Sequence, residues 1–182
     1  MFTHDTQIAL RNAAALVNTS PQVGVRAEEL ADPAALDAFL SDWSWTGSRT
    51  HDDTELAAVH RVRPLLRRAW ELADDLPALA AHINEILARA RALPQLVDHD
   101  GYGWHIHAVA ADEPVATRMA VEAAMAFIDI IRAEETSRLK RCAAPDCDGV
   151  LIDLSRNRSR RYCEGGCGDR LAAAAYRARR AE

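Results

Sequence analysis

Apolar residues recur three and four positions apart along most of the first 135 residues, a pattern typical of helices with one buried face. Asp5 and Asp32 are suitable N-caps, and Pro33 suits the first helical position. The resulting predicted helices cover residues 5–18, 33–40, 50–74, 78–92 and 113–135. The last has the strongest apolar stripe, so we expect it at the centre of the core.

Pro64 lies inside the third predicted helix, where its ring crowds the carbonyl of His60 and removes one backbone hydrogen bond. We therefore expect a kink there, or two helices in place of one. The neighbouring arginines are interpreted as a solvated face, paired with carboxylates at helical spacing. These arginines are Arg61, Arg63, Arg67 and Arg68, and the carboxylates are Glu55, Glu71, Asp74 and Asp75.

The apolar period changes from helical to alternating after Pro94, which predicts a β-hairpin. Its strands are residues 95–98 and 104–109, joined by a turn at 99–103, and it should pack on the helices. His105 and His107 share one face of the second strand, and a His-x-His pair can ligate metal. No carboxylate or cysteine partner is evident, so we predict that they are exposed polar residues.

The chain contains four cysteines, which form two close pairs: Cys142 with Cys147, and Cys163 with Cys167. Two such pairs can place four thiolates around one ion at about 2.3 Å, so we predict one structural Zn²⁺ with no open coordination position. Disulfides and unrelated buried thiols are the alternatives. A short strand at 149–153 is expected to pack against this zinc knuckle, and a helix should run from about residue 167 to 180.

Abundant alanine, with few aromatic and β-branched residues, also favours helix. The predicted fold is mainly α. It has an N-terminal helical domain with a small β-hairpin, followed by a C-terminal four-cysteine zinc-finger module ending in a basic helix. The predicted boundary lies between residues 137 and 138.

Charge is distributed unequally across that boundary, although the whole chain carries −5. Residues 138–182 contain 11 Arg and Lys against 6 Asp and Glu, a net of +5, and residues 1–137 carry −10. A basic module on an acidic body is expected where one part of a protein contacts phosphate and the other does not.

The C-terminal segment combines Cys-x4-Cys, the sequence Ser-Arg-Asn-Arg-Ser-Arg-Arg-Tyr-Cys at 155–163, the sequence Cys-Gly-Asp-Arg at 167–170, and a basic helix. It resembles the CGNR zinc-finger family over residues 138–182. The preceding part is similar, in order and length, to the helical ABATE regulatory domain found before this finger in bacterial proteins. The resemblance implies a transcription regulator whose finger binds DNA. Asp169 replaces the family's asparagine and would repel phosphate if that position contacts nucleic acid.

Two hypotheses follow for function, and neither is enzymatic, since no nucleotide-binding loop or metal-hydrolase motif is present. In the first, the finger binds DNA, with RNA as a variant, and the acidic domain senses a small-molecule effector or forms a homodimer. The predicted nucleic-acid contacts are Arg156, Asn157, Arg158, Arg160, Arg161, Arg170, Arg177, Arg179 and Arg180. In the second, the finger is a zinc-stabilised protein-interaction module that binds an acidic partner and no nucleic acid.

A ligand pocket could form around Trp43, Trp45, His51 and Trp104, although tryptophans in a small helical domain more often fill its core. The N-terminus has no signal-peptide pattern and no stretch is long enough to span a membrane. We therefore expect a cytoplasmic protein with no membrane partner, where thiols stay reduced and available for zinc.

Overall fold

The computed structural model of the protein describes residues 2–21, 27–98 and 103–181. Residues 99–102, most of the predicted hairpin turn, lie outside the described residues. The helices are α1 (His4–Asn18), α2 (Pro33–Asp42), α3 (Asp53–Glu71), α4 (Leu76–Arg89), α5 (Val115–Arg132) and α6 (Cys167–Ala181). The strands are β1 (Gln95–Asp98), β2 (Trp104–His107), β3 (Leu139–Arg141) and β4 (Val150–Ile152), and a 3₁₀ turn covers Thr136–Arg138. The mainly α fold predicted from the sequence is confirmed.

Helix α5 is the centre of the core, as its apolar stripe predicts, and α1, α3 and α4 pack around it. Phe127 of α5 is completely buried. Its ring meets the indole of Trp70 edge-to-face, with 5.4 Å between the ring centroids. This is a favourable aromatic geometry, so it helps to fix α3 against α5.

The first four helices start at side chains that accept hydrogen bonds from backbone N–H groups. Asp32, Asp52 and Asp75 cap α2, α3 and α4 in this way. The cap of α1 is Thr3, so the predicted cap at Asp5 is wrong. Asp5 instead lies in the first turn, where a carboxylate is stabilised by the positive end of the helix dipole.

Helix α3 continues across Pro64 as one element of 19 residues. Of the two outcomes expected at this proline, a kink or two separate helices, the second is therefore wrong. The prediction of an exposed arginine face is also wrong at Arg63, which is buried. Its guanidinium donates to both carboxylate oxygens of Glu28, at 2.6 and 2.9 Å. A two-point ion pair of this kind explains why the arginine can be buried. Glu55, a predicted partner of the cluster, instead binds Arg49 at 2.8 Å.

The hairpin of β1 and β2 is antiparallel, with Leu96 opposite Ile106. Its large apolar side chains face solvent: Leu96, Trp104 and Ile106 are 63, 71 and 49% exposed. His105 and His107 are half-buried on the other face, so the prediction that they are exposed is wrong. The polar side of this hairpin therefore faces the helices, the reverse of the usual arrangement.

Strands β3 and β4 form a second antiparallel pair that the sequence analysis foresaw only in part. Val150 and Ile152 of β4 are buried in the main hydrophobic core, while the four cysteines form a separate cluster. The prediction that this strand packs against the zinc knuckle is therefore wrong. It packs on the helices instead, and α1 is a major neighbour.

Side chains from α1 and α3 bind the backbone of β4 and of the residues just before it. The amide of Asn18 donates to the carbonyl of Val150 and accepts from its N–H, both at 2.8 Å. Trp70 Nε1 donates to the carbonyl of Leu151 at 2.9 Å, and Arg67 donates to the carbonyl of Asp148. We refer to these three residues, Asn18, Arg67 and Trp70, as the joint. Across the described ranges, the helices are all too short or too polar to cross a bilayer.

Candidate metal centre and nucleic-acid surface

The four cysteines converge into one buried cluster in which the sulfur atoms all lie within 4.8 Å of one another. Sγ of Cys163 is 3.7 Å from Sγ of Cys147 and 3.8 Å from Sγ of Cys167. A tetrahedron with Zn–S bonds of about 2.3 Å requires about 3.8 Å between sulfurs. A disulfide requires about 2.05 Å, so the distances fit a tetrahedral metal site and exclude S–S bonds.

Backbone geometry brings the two cysteine pairs together. The N–H of Gly149 donates to Sγ of Cys147 at 3.3 Å, and the N–H of Cys163 donates to Sγ of Cys142 at 3.5 Å. A Cβ at position 149 would lie 3.1 Å from Sγ of Cys163 and 3.2 Å from Sγ of Cys147. Any side chain there would have to displace, by a few tenths of an ångström, sulfurs that a metal holds in place, so glycine is favoured at this position.

Burial and hydrogen bonding act in opposite directions on the thiols. Burial raises the pKa of Cys147 to about 12 and also raises the pKa of Cys163. Burial alone would raise the pKa of Cys142 as well, but hydrogen bonds from backbone N–H groups outweigh it and lower the pKa. A divalent cation bound by four such sulfurs displaces their protons, so metal binding and deprotonation occur together.

Arg170 follows the second cysteine pair and forms an ion pair with Asp146, which lies within the first pair. Both terminal nitrogens donate to the carboxylate of Asp146, each at 2.6 Å. Hydrogen bonding to Asp146 raises the pKa of this guanidinium. Because its fork is already occupied by a carboxylate, Arg170 ties α6 to the first knuckle.

The arginine-rich loop, residues 155–161, is organised by the completely buried Asp153. One carboxylate oxygen accepts from the backbone N–H and hydroxyl of Ser155, at 3.0 and 2.5 Å. The other accepts from Nζ of Lys140 at 2.6 Å and from the backbone N–H of Arg160 at 2.9 Å. The loop therefore has a defined backbone although its residues from 156 to 161 are exposed.

The predicted nucleic-acid residues divide into two groups in the structure. Three have carboxylate partners: Arg158 with Glu135, Arg160 with Glu164, and Arg170 with Asp146. The others are exposed and, among the described residues, their side chains have no carboxylate partner. This second group is Arg156, Asn157, Arg161, Arg177, Arg179 and Arg180. Asp169 is also exposed, in the first turn of α6.

A cavity of about 660 Å³ lies between α1, α5, the hairpin and the loop at 43–46. Of the predicted pocket residues, Trp43 and Trp45 line it, and Trp45 also packs against the core as the alternative interpretation expected. His51 instead binds Asp37, with 3.0 Å between Nδ1 and the carboxylate. Trp104 points to solvent.

Glu122 and Arg118 are cavity residues that the sequence analysis missed. Burial raises the pKa of Glu122 to about 7, against the opposing charge of Arg118. Both residues interrupt the apolar stripe of the central helix. A charged residue at a position that helical periodicity assigns to the core was the signal that could have revealed them.

Two family models match the chain in the order of its two parts. The ABATE model, described as "Putative stress-induced transcription regulator", matches residues 10–134. The CGNR zinc-finger model matches residues 138–180. No curated protein matches the chain. The zinc-finger match and the spacing of the four sulfurs together support one zinc ion, which Cys142, Cys147, Cys163 and Cys167 would hold.

Proposed function

Because this chain belongs to the ABATE family and carries a CGNR zinc finger, we propose that it is a transcription regulator that binds DNA through the finger. Residues 138–182 would form the DNA-binding unit, and residues 1–137 would form the regulatory domain. Four cysteine ligands leave no open coordination position for substrate or water, so the zinc stabilises the finger and has no direct role in chemistry.

The exposed, uncompensated arginines of the finger are the observation that carries this proposal. Arg156 and Arg161 lie in the arginine-rich loop, and Arg177 and Arg179 lie near the end of α6. Guanidinium groups without an internal carboxylate partner remain available for phosphate, which they bind with two parallel hydrogen bonds. The loop and α6 adjoin each other, because the ring of Tyr162 lies against Gly168.

The two parts of the chain carry opposite net charges, which should orient the protein as it approaches DNA. The acidic domain repels the phosphate backbone, while the finger attracts it, so the protein should approach DNA with the finger first. Asp169 opposes this attraction locally. The four arginines named above outnumber it on the exposed surface of the finger.

The proposal predicts DNA binding that weakens steeply with salt. About four phosphate contacts correspond to a slope near −3.6 in a plot of log affinity against log salt concentration. Fluorescence anisotropy of the zinc-loaded protein with a mixed-sequence duplex, at several salt concentrations, measures this slope. Replacing Arg156, Arg161 and Arg177 together with alanine should lower the affinity and reduce the slope by about 3.

A control variant with the same change in charge should bind DNA like the wild type. Arg11, Arg61 and Arg89 are exposed arginines on the acidic domain and can be replaced with alanine together. Equal losses in the two triple variants, or no binding at low salt, would contradict DNA recognition by the finger. Absence of nucleic-acid binding would favour the protein-interaction hypothesis, and preference for RNA over DNA would favour the RNA variant.

The regulatory half of the proposal is that the acidic domain senses a small molecule. Its cavity has the volume of sites that hold drug-sized ligands, about 300–1,000 Å³. The same two helices that line it, α1 and α5, belong to the core in which β4 of the finger is buried. A ligand that shifts these helices can therefore act on the finger through direct packing.

A further inference from the structure

The cavity of the acidic domain contains a carboxylate without a hydrogen-bonded partner. Glu122 of α5 lines the cavity, and no hydrogen bond to its carboxylate occurs among the described residues. The nearest ring nitrogen is Nδ1 of His107, 3.7 Å from Oε1. An ionised carboxylate in such surroundings is costly unless a cation or a set of donors reaches it.

Arg118, one turn before Glu122 on α5, forms its hydrogen bonds with backbone carbonyls and not with Glu122. Its Nε donates to the carbonyl of Glu113 at 3.0 Å, and Nη2 donates to the carbonyl of Ser48 at 2.8 Å. Nη1 donates to the carbonyl of Thr46. The guanidinium thus fixes the loop at 46–48 onto α5 and leaves the carboxylate of Glu122 without a bidentate partner.

The two histidines leave the carboxylate of Glu122 without a hydrogen-bond donor. Nε2 of His105 lies 3.0 Å from Nε2 of His107, a hydrogen-bond distance. Nδ1 of His107 is 3.7 Å from Oε1 of Glu122, which is too far for a hydrogen bond. The indoles of Trp43 and Trp45 line the same cavity as Glu122, and the π-faces of indoles attract cations.

A small void next to the cavity contains two further polar atoms without partners. It has a volume of about 10 Å³ and is lined by Asn12, Trp45 and Glu122, among others. Oδ1 of Asn12 and Nε1 of Trp45 are buried and have no hydrogen-bond partner among the described residues. Buried polar atoms are normally paired, so both point to a polar ligand group or a bridging water at this end of the cavity.

We propose that the cavity binds a small organic amine, with its ammonium group at Glu122 and its apolar body between the indoles of Trp43 and Trp45. The ammonium supplies the hydrogen-bond donors that the carboxylate lacks, and it brings a positive charge into direct contact with it. Carboxylic acids fit this end of the cavity less well, because the carboxylate of Glu122 would repel them and Arg118, one turn away on α5, is occupied by three carbonyl oxygens. The regulatory role of this site rests on the proposed function, but binding itself can be measured without DNA.

A matched series of ligands tests the chemistry of the site. The probes are 2-phenylethylamine, 2-phenylethanol and 3-phenylpropionate, which share an aromatic body and differ in the terminal group. Calorimetry and tryptophan fluorescence of the full-length, zinc-loaded protein measure their affinities. We expect the amine to bind at least tenfold more tightly than the other two, since only the ammonium can form a hydrogen bond with the carboxylate in which both groups are charged. Equal affinities, or preference for the carboxylate, would overturn the proposal.

Substitution of Glu122 tests the residue on which the proposal of an amine site rests. Glu122→Gln keeps the shape and removes the charge, so the preference for the amine should disappear. Glu85→Gln, at an exposed position on α4, serves as the matched control and should leave the preference unchanged. Trp43→Ala should weaken the binding of all three probes, because it removes an indole that lines the cavity. An unchanged preference for the amine in Glu122→Gln would show that the carboxylate is not the determinant.

The pH dependence of binding provides an independent readout. With a pKa of about 7, Glu122 is mostly protonated at pH 6 and mostly ionised at pH 8. Affinity for the amine should therefore rise about tenfold between pH 6 and pH 8, and this rise should be absent in Glu122→Gln. A rise that persists in the variant would assign the titration to other groups and overturn this role of Glu122. The charged or titratable groups that share the cavity are Asp5, Arg91, His105, His107, Glu113 and Arg118.

Discussion

At the scale of single residues, the carboxylate of Asp153 determines the conformation of the arginine-rich loop. Burial alone would raise the pKa of Asp153, but hydrogen bonds from Lys140, Ser155 and Arg160 outweigh it and lower the pKa to about 2. A carboxylate whose pKa is lower in the folded state stabilises that state above its unfolded pKa of 3.8. The contribution is lost only as the pH falls through about 2.

Replacement of Asp153 with asparagine should therefore destabilise the protein at neutral pH. The shift in pKa corresponds to about 2 kcal/mol in the free energy of unfolding, present in full at pH 5 and pH 7. Urea denaturation of the zinc-loaded protein at these two pH values measures it. Asp148→Asn, at an exposed position five residues earlier, is the control. Equal loss in both variants would show that Asp153 has no special role.

At the scale of elements, α6 depends on the metal more than any other helix does. It begins at Cys167, and its residues from 172 to 180 are exposed on every side. An isolated helix of about 12–15 residues is marginal in water, so the first turn must be held by its ligand and by the Arg170–Asp146 pair. Helices α1 to α5 instead surround a hydrophobic core separate from the cysteine cluster.

Removal of zinc by a chelator should consequently unfold the knuckle and reduce the helicity of α6, while α1 to α5 remain folded. Far-ultraviolet circular dichroism should report a partial loss of helix. Tryptophan fluorescence should change little as long as β4 stays in the main core, because Trp70 is hydrogen-bonded to Leu151 there and the other three tryptophans precede the finger. Complete unfolding on chelation would mean that the metal also holds the core of the acidic domain together, and no loss of helix would mean that α6 is stable without it.

At the scale of the whole molecule, the joint of Asn18, Arg67 and Trp70 determines how the finger is positioned. Asn18 satisfies both the N–H and the carbonyl of Val150 inside the core. Aspartate at this position could still accept a hydrogen bond but could not donate one, and it would add a buried charge.

Asn18→Asp should destabilise the protein by roughly 1–3 kcal/mol, the usual cost of leaving a buried backbone group without its partner. Thermal unfolding of the zinc-loaded variant measures the change. Asn84→Asp, at an exposed position on α4, makes the same chemical substitution away from the joint. A loss of stability at position 84 as large as that at position 18 would contradict the role of this contact.

Local signals in the sequence predicted much of the fold. Asp32-Pro33 marked the start of α2, and the stripe containing Phe127 identified the central helix. The two cysteine pairs predicted the metal cluster, because close spacing along the chain ensures closeness in space. These features depend on neighbours within a few positions, which is the range over which the pattern of a sequence is informative.

The features that the sequence analysis missed depend on residues far apart in the chain. Arg63 is buried because Glu28, 35 positions away, neutralises it. The strand at 150–152 lies in the main core because Asn18, 132 positions earlier, binds its backbone. Glu122 faces a cavity whose opposite wall is a hairpin with its polar side turned inward. Periodicity gives the faces of each element but does not show which face meets which partner.

Gly149 lies against the metal ligands, whereas most of α6 lies away from them, so substitutions should have different effects at the two places. The missing side chain of Gly149 leaves room for the sulfur atoms of Cys147 and Cys163, so substitutions at this position are disfavoured. The alanines and arginines on the outer turns of α6 touch no ligand of the metal and can be exchanged without disturbing it. Substitutions on the outer surface of α6 can therefore change what the finger contacts without changing the zinc site beneath.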